Sequence, residues 1–118
     1  DLESKIFLLG RRVDIPALLS AADIYVSSSL GESFSNSIGE AMACELSCVV
    51  TDVGHSKIIV GDTGVVIEAG DYGDLSDMLL KHVEADGVVR CKAARERIAL
   101  RYDIRSTVGR FEKIWGYM

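Results

Sequence analysis

Two carboxylates, Glu32 and Glu40, stand eight residues apart, and the stretch between them reads Ser33-Phe34-Ser35-Asn36-Ser37-Ile38-Gly39. A strand-like segment ends just before it, a run of small polar residues follows, and a helical pattern then begins. Such a helix presents unpaired backbone N–H groups and the positive end of its dipole, which together favour an anion. Ser33 and Ser35 have little bulk, so a diphosphate could come close to the backbone there. In helical register Ser33, Ser37, Glu40 and Cys44 share one stripe, opposite Phe34, Ile38 and Met42. Carboxylates on that stripe would accept hydrogen bonds from the vicinal hydroxyls of a sugar or ribose. A purely structural reading fits as well. Ser37-x-x-Glu40 has the form of a capping box, and Glu32 is a loop carboxylate that the same dipole would favour. On pattern alone both readings stay open.

The elements that must position these residues follow from periodicity. Ile6-Phe7-Leu8-Leu9-Gly10 is a short apolar run ending in Gly, the form of a buried strand. Asp14-Ile15-Pro16 offers an N-cap with Pro in the first turn, and Ile15, Leu18, Leu19 and Ala22 give an amphipathic helix. Ile24-Tyr25-Val26 is a second strand, running into Ser27, Ser28 and Ser29. A helix over 35–45 follows, with Phe34, Ile38 and Met42 inward. Cys48-Val49-Val50-Thr51 is a third strand. A helical turn over 56–60 leads to a fourth, Gly64-Val65-Val66-Ile67. Leu75, Met78, Leu79, His82 and Val83 keep helical spacing, as do Val108, Phe111, Trp115 and Met118. Val88 to Tyr102 is helical but less cleanly amphipathic, Asp86-Gly87 breaks the chain before it, and Asp103 caps the last helix. The alternation predicts an α/β, doubly wound, Rossmann-like parallel sheet with C-terminal helices. Ligands in such sheets sit at the carboxyl ends of the strands. That directs attention to the loops over 10–13, 27–35 and 52–57.

Composition narrows the function classes. A chain of 118 residues suits one domain, and 48% hydrophobic with 26% charged residues is a globular composition. The net charge of −5 speaks against a nucleic-acid groove, which needs clustered Lys and Arg. The arginines between Arg90 and Arg105 are interleaved with Glu96 and Asp103 and read as a solvated helix face. The three cysteines, Cys44, Cys48 and Cys91, form neither a zinc nor a redox pattern, so no metal is expected and the compartment reads as reducing, hence cytoplasmic. The sequence holds neither a signal-peptide pattern nor an apolar run near membrane-spanning length, although peripheral membrane attachment stays open.

Several of these pieces match one family in order. Glu32-Ser33-Phe34-Ser35 through Glu40-Ala41-Met42-Ala43 resembles the E-x7-E pattern of retaining glycosyltransferases of family 4. Phe7-Leu8-Leu9-Gly10-Arg11-Arg12 resembles their strand-ending Gly loop, and Ala22-Asp23-Ile24-Tyr25-Val26 their next strand. Cys48-Val49-Val50-Thr51-Asp52-Val53-Gly54 resembles the strand and Gly loop after the motif helix, and Gly64-Val65-Val66 the last strand. The resemblance covers roughly the first two-thirds of the chain. It implies that residues 1–118 are the donor half of a GT-B fold, incomplete at the N-terminus and inactive alone. The intact enzyme, of hexosyltransferase type, would move a sugar from a nucleotide diphosphate sugar to an acceptor with retention, without a metal or other cofactor. By the same resemblance Glu32 would meet the donor-sugar hydroxyls at the reacting centre. Backbone amides in Ser33-Phe34-Ser35 would hold the diphosphate, Glu40 the ribose, and Gly10, Arg11 and Arg12 would border the base. Polysaccharide or lipopolysaccharide synthesis is the implied setting.

The chain also departs from the family pattern. Ser33 and Ser35 stand where the family has glycines, and Glu45 and Ser47 where it has Gly and Pro. The resemblance leaves unmatched the family's acceptor-binding N-terminal domain and the donor domain's first strands with their Arg and Lys. Strand edges left open this way predict self-association. Two other readings remain. One is a Rossmann-like module that binds a nucleotide or a partner without chemistry. The other is a receiver domain, for which Asp52 is the only comparable acceptor and lacks preceding partner acids. His55, in a loop facing the crevice, reads as an ordinary loop histidine rather than a general base.

Overall fold

The computed structural model describes residues 2–84 and 90–116. Among them, a 3-10 turn at Glu3–Lys5 precedes α1 (Ile15–Ala21), β1 (Ile24–Ser27), α2 (Asn36–Ala43), β2 (Ser47–Thr51) and α3 (Ser56–Val60). Then come β3 (Val65–Ile67), α4 (Tyr72–Glu84), α5 (Lys92–Tyr102) and α6 (Ile104–Trp115). The strands form a parallel sheet in the order β1-β2-β3, with Val26 opposite Val49 and Val49 opposite Val65. The class is α/β, as the alternation of periods predicts. The break at Asp86-Gly87, the helix start at Val88 and the position of Met118 lie outside the described residues.

Pleating sorts the strand side chains onto two faces. Cys48 and Val50 point into a cluster with Ile38, Met42, Leu46, Ile59, Val60 and Ala94, so α2, α3 and α5 cover that side. Val49 and Ile67, at 0% and 3% exposure, belong to the opposite face, where α4 packs on β2 and β3. Leu75, Met78, Leu79 and His82 are the half-buried stripe of α4, at the spacing read from the sequence, while Val83, read as part of it, is exposed. Parallel strands buried on both sides need continuous apolar runs, which Cys48-Val49-Val50 supplies. Against α2, Ala94 is fully buried, and a Cβ on Gly39 would stand 4.0 Å from Ile98 Cδ1. Small residues at that crossing let the two helices approach closely.

Residues 6–10 depart from the expectation of a strand. Ile6 is extended, with φ −108° and ψ 124°, but the segment joins no strand of the sheet. Phe7 and Leu8 are 77% and 95% exposed. A strand needs a ladder partner to satisfy its N–H and C=O groups, and the sheet's described edge at β1 is not brought to this segment. The other end of the molecule is also loosely covered. α6 packs on α5 and leaves Ile104, Ile114 and Trp115 largely exposed. The radius of gyration, 16.2 Å, accordingly exceeds the roughly 13.5 Å of a compact domain of this length.

The arginine-rich stretch is the second departure. Arg90 donates to the carbonyls of Ser20 and Cys44, and Arg95 to that of Ala43 at 2.9 Å. Arg97 donates to Ile59 O at 2.8 Å and Ile58 O at 2.7 Å. These acceptors lie in the last turns of α1, α2 and α3, where carbonyls lack helical partners and the dipole attracts a cation. Spacing alone cannot tell a guanidinium that reaches a neighbouring helix end from one facing water. Asp103 behaves as read, accepting from Arg105 N at 2.8 Å and Ser106 N at 3.3 Å at the start of α6. Cys44, Cys48 and Cys91 are free thiols.

Candidate functional site

The loops that leave β1 and β2 meet above the carboxyl ends of the strands. Thr51 Oγ1 donates to Ser29 O at 2.7 Å, joining the two strand ends. Gly54, with φ +53°, lies against the backbone of residues 32–33, and a Cβ there would stand 2.1 Å from Glu32 O. Ser33 O accepts from His55 N at 3.1 Å and from His55 Nδ1 at 2.9 Å. The Phe34 ring sits 6.2 Å from His55 and 5.9 Å from Tyr102, the latter edge-on. The loop carrying Glu32 is thus held from the second loop by backbone contact and from α5 by an aromatic edge.

α2 starts from that loop. Ser35 is its N-cap and is 4% exposed, yet its hydroxyl makes no capping bond. The hydroxyl lies instead 3.0 Å from Ser37 Oγ, which accepts from Tyr25 Oη at 2.7 Å. This chain of hydroxyls ties the first turn of α2 to β1. It also disposes of the capping box, because Ser37 is the second helical residue rather than the cap and its oxygen is already engaged. Nothing in the first turn occupies Glu40, which is exposed one turn further along. Glu32 is likewise exposed, its Oε1 accepting from the adjacent Ser33 N at 3.3 Å. The first turn of α2, exposed at Asn36 and Ser37, therefore lies between Glu32, bonded to the adjacent amide, and an exposed Glu40.

Phe34 corrects one expectation. It precedes α2 and is 46% exposed, whereas Ile38 and Met42 are fully buried. The core stripe therefore begins at Ile38, and Ser33 lies off the helical stripe that carries Ser37 and Glu40. Beside Glu40, an apolar cleft of about 430 Å³ opens between α1 and α2, lined by Ile15, Pro16, Leu19, Ala43 and Cys44. A flat apolar ring and a polyol would find complementary surfaces there, with apolar walls and one carboxylate at the rim.

Gly10 and Arg11 lie in exposed chain before α1, Gly10 at φ +64° with open space around it. Arg12 forms a two-pronged ion pair with Asp14, which takes Asp14 away from capping α1. The pairing raises the Arg12 pKa and holds the Asp14 carboxyl below its ordinary value. Glu32, Ser33, Phe34 and Ser35 thus lie in the loop between β1 and α2 and Glu40 on α2, while Gly10, Arg11 and Arg12 stay on the approach to α1. Among the described residues no group of three or more His, Cys, Asp or Glu side chains is placed to hold a metal.

His55 is the residue whose part the sequence reading understated. Its partner, Ser33 O, lies 22 residues away, and no pattern in the sequence marks that contact.

The fold is a parallel α/β sheet with Glu32 in the loop after β1 and Glu40 on the helix that follows, the end of such sheets where ligands sit. The chain belongs to the glycosyl transferases group 1 family, whose model matches residues 1–85. It is similar to N-acetyl-alpha-D-glucosaminyl L-malate synthase of Bacillus anthracis, with 30% identity over 97% of this chain and 31% of the relative. It is also similar to an Escherichia coli UDP-Gal:alpha-D-GlcNAc-diphosphoundecaprenol alpha-1,3-galactosyltransferase, at 29% identity over 98% of this chain and 30% of the relative. A third relative, O-antigen chain mannosyltransferase B of Escherichia coli, is 33% identical over 70% of this chain and 22% of its own length. The chain therefore spans less than a third of each of these curated relatives.

Proposed function

We propose that this chain is the donor-binding part of a retaining glycosyltransferase of family 4 with a GT-B fold, and that Glu32 and Glu40 are its E-x7-E pair. The observation that carries the proposal is the open first turn of α2 between these two carboxylates, at the carboxyl ends of the strands. In this reading backbone amides of Phe34 and Ser35 receive the diphosphate. Glu40 accepts from the ribose hydroxyls, and the cleft toward Ile15 and Leu19 takes the base, with Gly10, Arg11 and Arg12 at its border. Glu32 faces the hydroxyls of the donor sugar. Transfer proceeds with retention, and fixed N–H dipoles stabilise the departing diphosphate. The substrate is a nucleotide diphosphate hexose, and no cofactor takes part.

The acceptor-binding domain belongs to the remainder of a longer protein, so this chain alone binds donor without transferring the sugar. The printed names of the relatives, a galactosyltransferase acting on a lipid-linked sugar and an O-antigen mannosyltransferase, support a place in polysaccharide or lipopolysaccharide synthesis. Among the described residues no helix is long and apolar enough to cross a membrane. A cytoplasmic protein peripheral to the membrane fits these features. The free edge of β1 and the exposed Ile6–Leu9 segment support self-association by strand pairing. Sedimentation velocity across a concentration series tests it, and a monomer at every concentration overturns it.

The decisive experiment is ligand-observed NMR with UDP-, GDP- and ADP-sugars on the wild type and on Glu40→Ala. One nucleotide series should bind, and binding should weaken in the variant. Binding that is indifferent to Glu40 moves the site elsewhere. Absence of binding by all three favours a Rossmann-like module that serves a partner rather than a donor.

A further inference from the structure

We infer that His55 is a positioning residue for Glu32, acting through the carbonyl of Ser33; the inference rests on the donor-site reading above. One carbonyl oxygen, Ser33 O, accepts from both the backbone N–H and the ring Nδ1 of His55, at 3.1 and 2.9 Å. Because a carbonyl only accepts, Nδ1 must carry the proton, and the neutral ring is fixed as the tautomer with a bare Nε2. The peptide that receives these bonds joins Ser33 to Phe34, one peptide beyond the one that leaves Glu32. Gly54 closes on the carbonyl of Glu32 itself, where even a Cβ would be 2.1 Å away.

Among the described residues the Glu32 side chain has no anchor beyond the adjacent Ser33 N–H, at 3.3 Å. Its direction is therefore set by the backbone of residues 32–34, and that backbone is pinned by His55 below and by the Phe34 ring against Tyr102 at 5.9 Å. An exposed loop with a single backbone hydrogen bond would sample many directions, whereas a carboxylate that meets a reacting sugar must be held to within a fraction of an ångström. The ring bond from Nδ1 supplies the restraint that the backbone bond alone does not.

Nitrogen-15 NMR of the ligand-free chain tests the clamp directly. His55 should be found as the Nδ1–H tautomer, and His55→Ala should shift and broaden the amides of Glu32, Ser33 and Phe34. His55→Asn keeps an N–H donor near the Nδ1 position and should leave those amides close to wild type. A dominant Nε2–H tautomer, or an Asn variant as perturbed as Ala, overturns the clamp even if no nucleotide binds.

The coupling to Glu32 is then read with the nucleotide sugar. His55→Ala should weaken binding roughly tenfold, as expected for losing one aligned hydrogen bond at a site that needs fixed geometry. His55→Asn should restore most of the loss, and His55→Ala should matter much less in a Glu32→Gln background. Fully additive losses overturn the inference. A wild type blind to every nucleotide sugar instead overturns the donor-site reading, while the tautomer and amide shifts still decide the clamp.

Discussion

Gly54 and Glu32 touch backbone to backbone, with the position of a Gly54 Cβ only 2.1 Å from Glu32 O and 2.6 Å from Ser33 O. Gly54 also sits at φ +53°, in the left-handed region that side chains resist. Both constraints act at the point where the β2 loop supports the loop carrying Glu32, so fold and site share one residue. Gly54→Ala should destabilise the chain by about 1–3 kcal/mol, from strain and displaced backbone together. It should also perturb the amides of residues 31–34 more than those of the sheet. Urea denaturation and amide chemical shifts check the two effects. A loss of stability that leaves the Glu32 loop unperturbed would separate them and count against the contact.

Glu45 is a liability that function does not explain. It follows α2 at φ 63°, the only described residue other than glycine with positive φ. The sequence reading singled out this position as one where the related family has Gly, and the backbone shows why a glycine suits it. Glu45→Gly should raise stability by about 1 kcal/mol, because the left-handed conformation is strained for a residue with a Cβ. The Glu45 carbonyl accepts from Cys91 N at 2.8 Å, and glycine keeps that bond. A thermal melt should show the gain, with donor affinity unchanged. A lower melting temperature would mean that the Glu45 side chain contributes more than its strain removes.

Much of this arrangement could be read before any coordinates. The strands around Val26, Val49 and Val66 were legible because buried parallel strands are continuous apolar runs between turn residues. Ile38 and Met42 were legible from helical spacing, and Asp103 from its place before an apolar-periodic helix. Residues 6–10 misled because an apolar pentad ending in Gly records strand propensity, and propensity does not say whether a ladder partner stands beside it. Phe34 misled by sharing the phase of Ile38 while lying just before the N-cap of the helix. Family membership came from the order of several motifs, since Glu32 and Glu40 alone could not be told from a capping box. His55 and Arg97 were illegible for a common reason. Their partners, Ser33 O and the carbonyls of Ile58 and Ile59, are 22, 39 and 38 residues away, and side-chain reach across a fold leaves no period in the sequence.

Arg97 carries the next prediction. Its guanidinium caps α3 through the carbonyls of Ile58 and Ile59, covers Gly61, where a Cβ would stand 2.3 Å from Cζ, and lies 3.8 Å from Asp62. With the Arg97 side chain 15% exposed, removing it leaves two carbonyls short of their donors, that of Ile59 beside a buried side chain. Arg97→Met, which keeps most of the stem, should cost about 1–3 kcal/mol. Arg97→Lys should recover only part, because an ammonium lacks the planar fork that serves two carbonyls at once. Asp62→Asn should change little, since that carboxylate is 93% exposed. Chemical denaturation of the three variants gives the order, and equal losses for Met and Asp62→Asn would point to the ion pair instead of the cap.

Cys48 makes stability depend on pH at the alkaline end. It is buried in β2 within the main core, and burial first, with the neighbouring Cys91 second, pushes its thiol from 9.0 up to about 12. The unfolded chain therefore loses this proton at lower pH than the folded one. Below pH 9 both states hold it and stability is at its full value. Between about 9 and about 12 the unfolded state binds fewer protons, so stability falls as pH rises, with a slope approaching about 1.4 kcal/mol per pH unit for this one group. Other groups titrate in the same window, so the comparison that isolates Cys48 is with Cys48→Val, which keeps an apolar side chain of similar size in the strand. Urea denaturation at pH 8 and pH 10 should show the wild type losing more stability than the variant. Parallel losses would mean that the thiol stays accessible to water through local opening of β2, and that the strand is less firmly held between its two layers of helices than the packing implies.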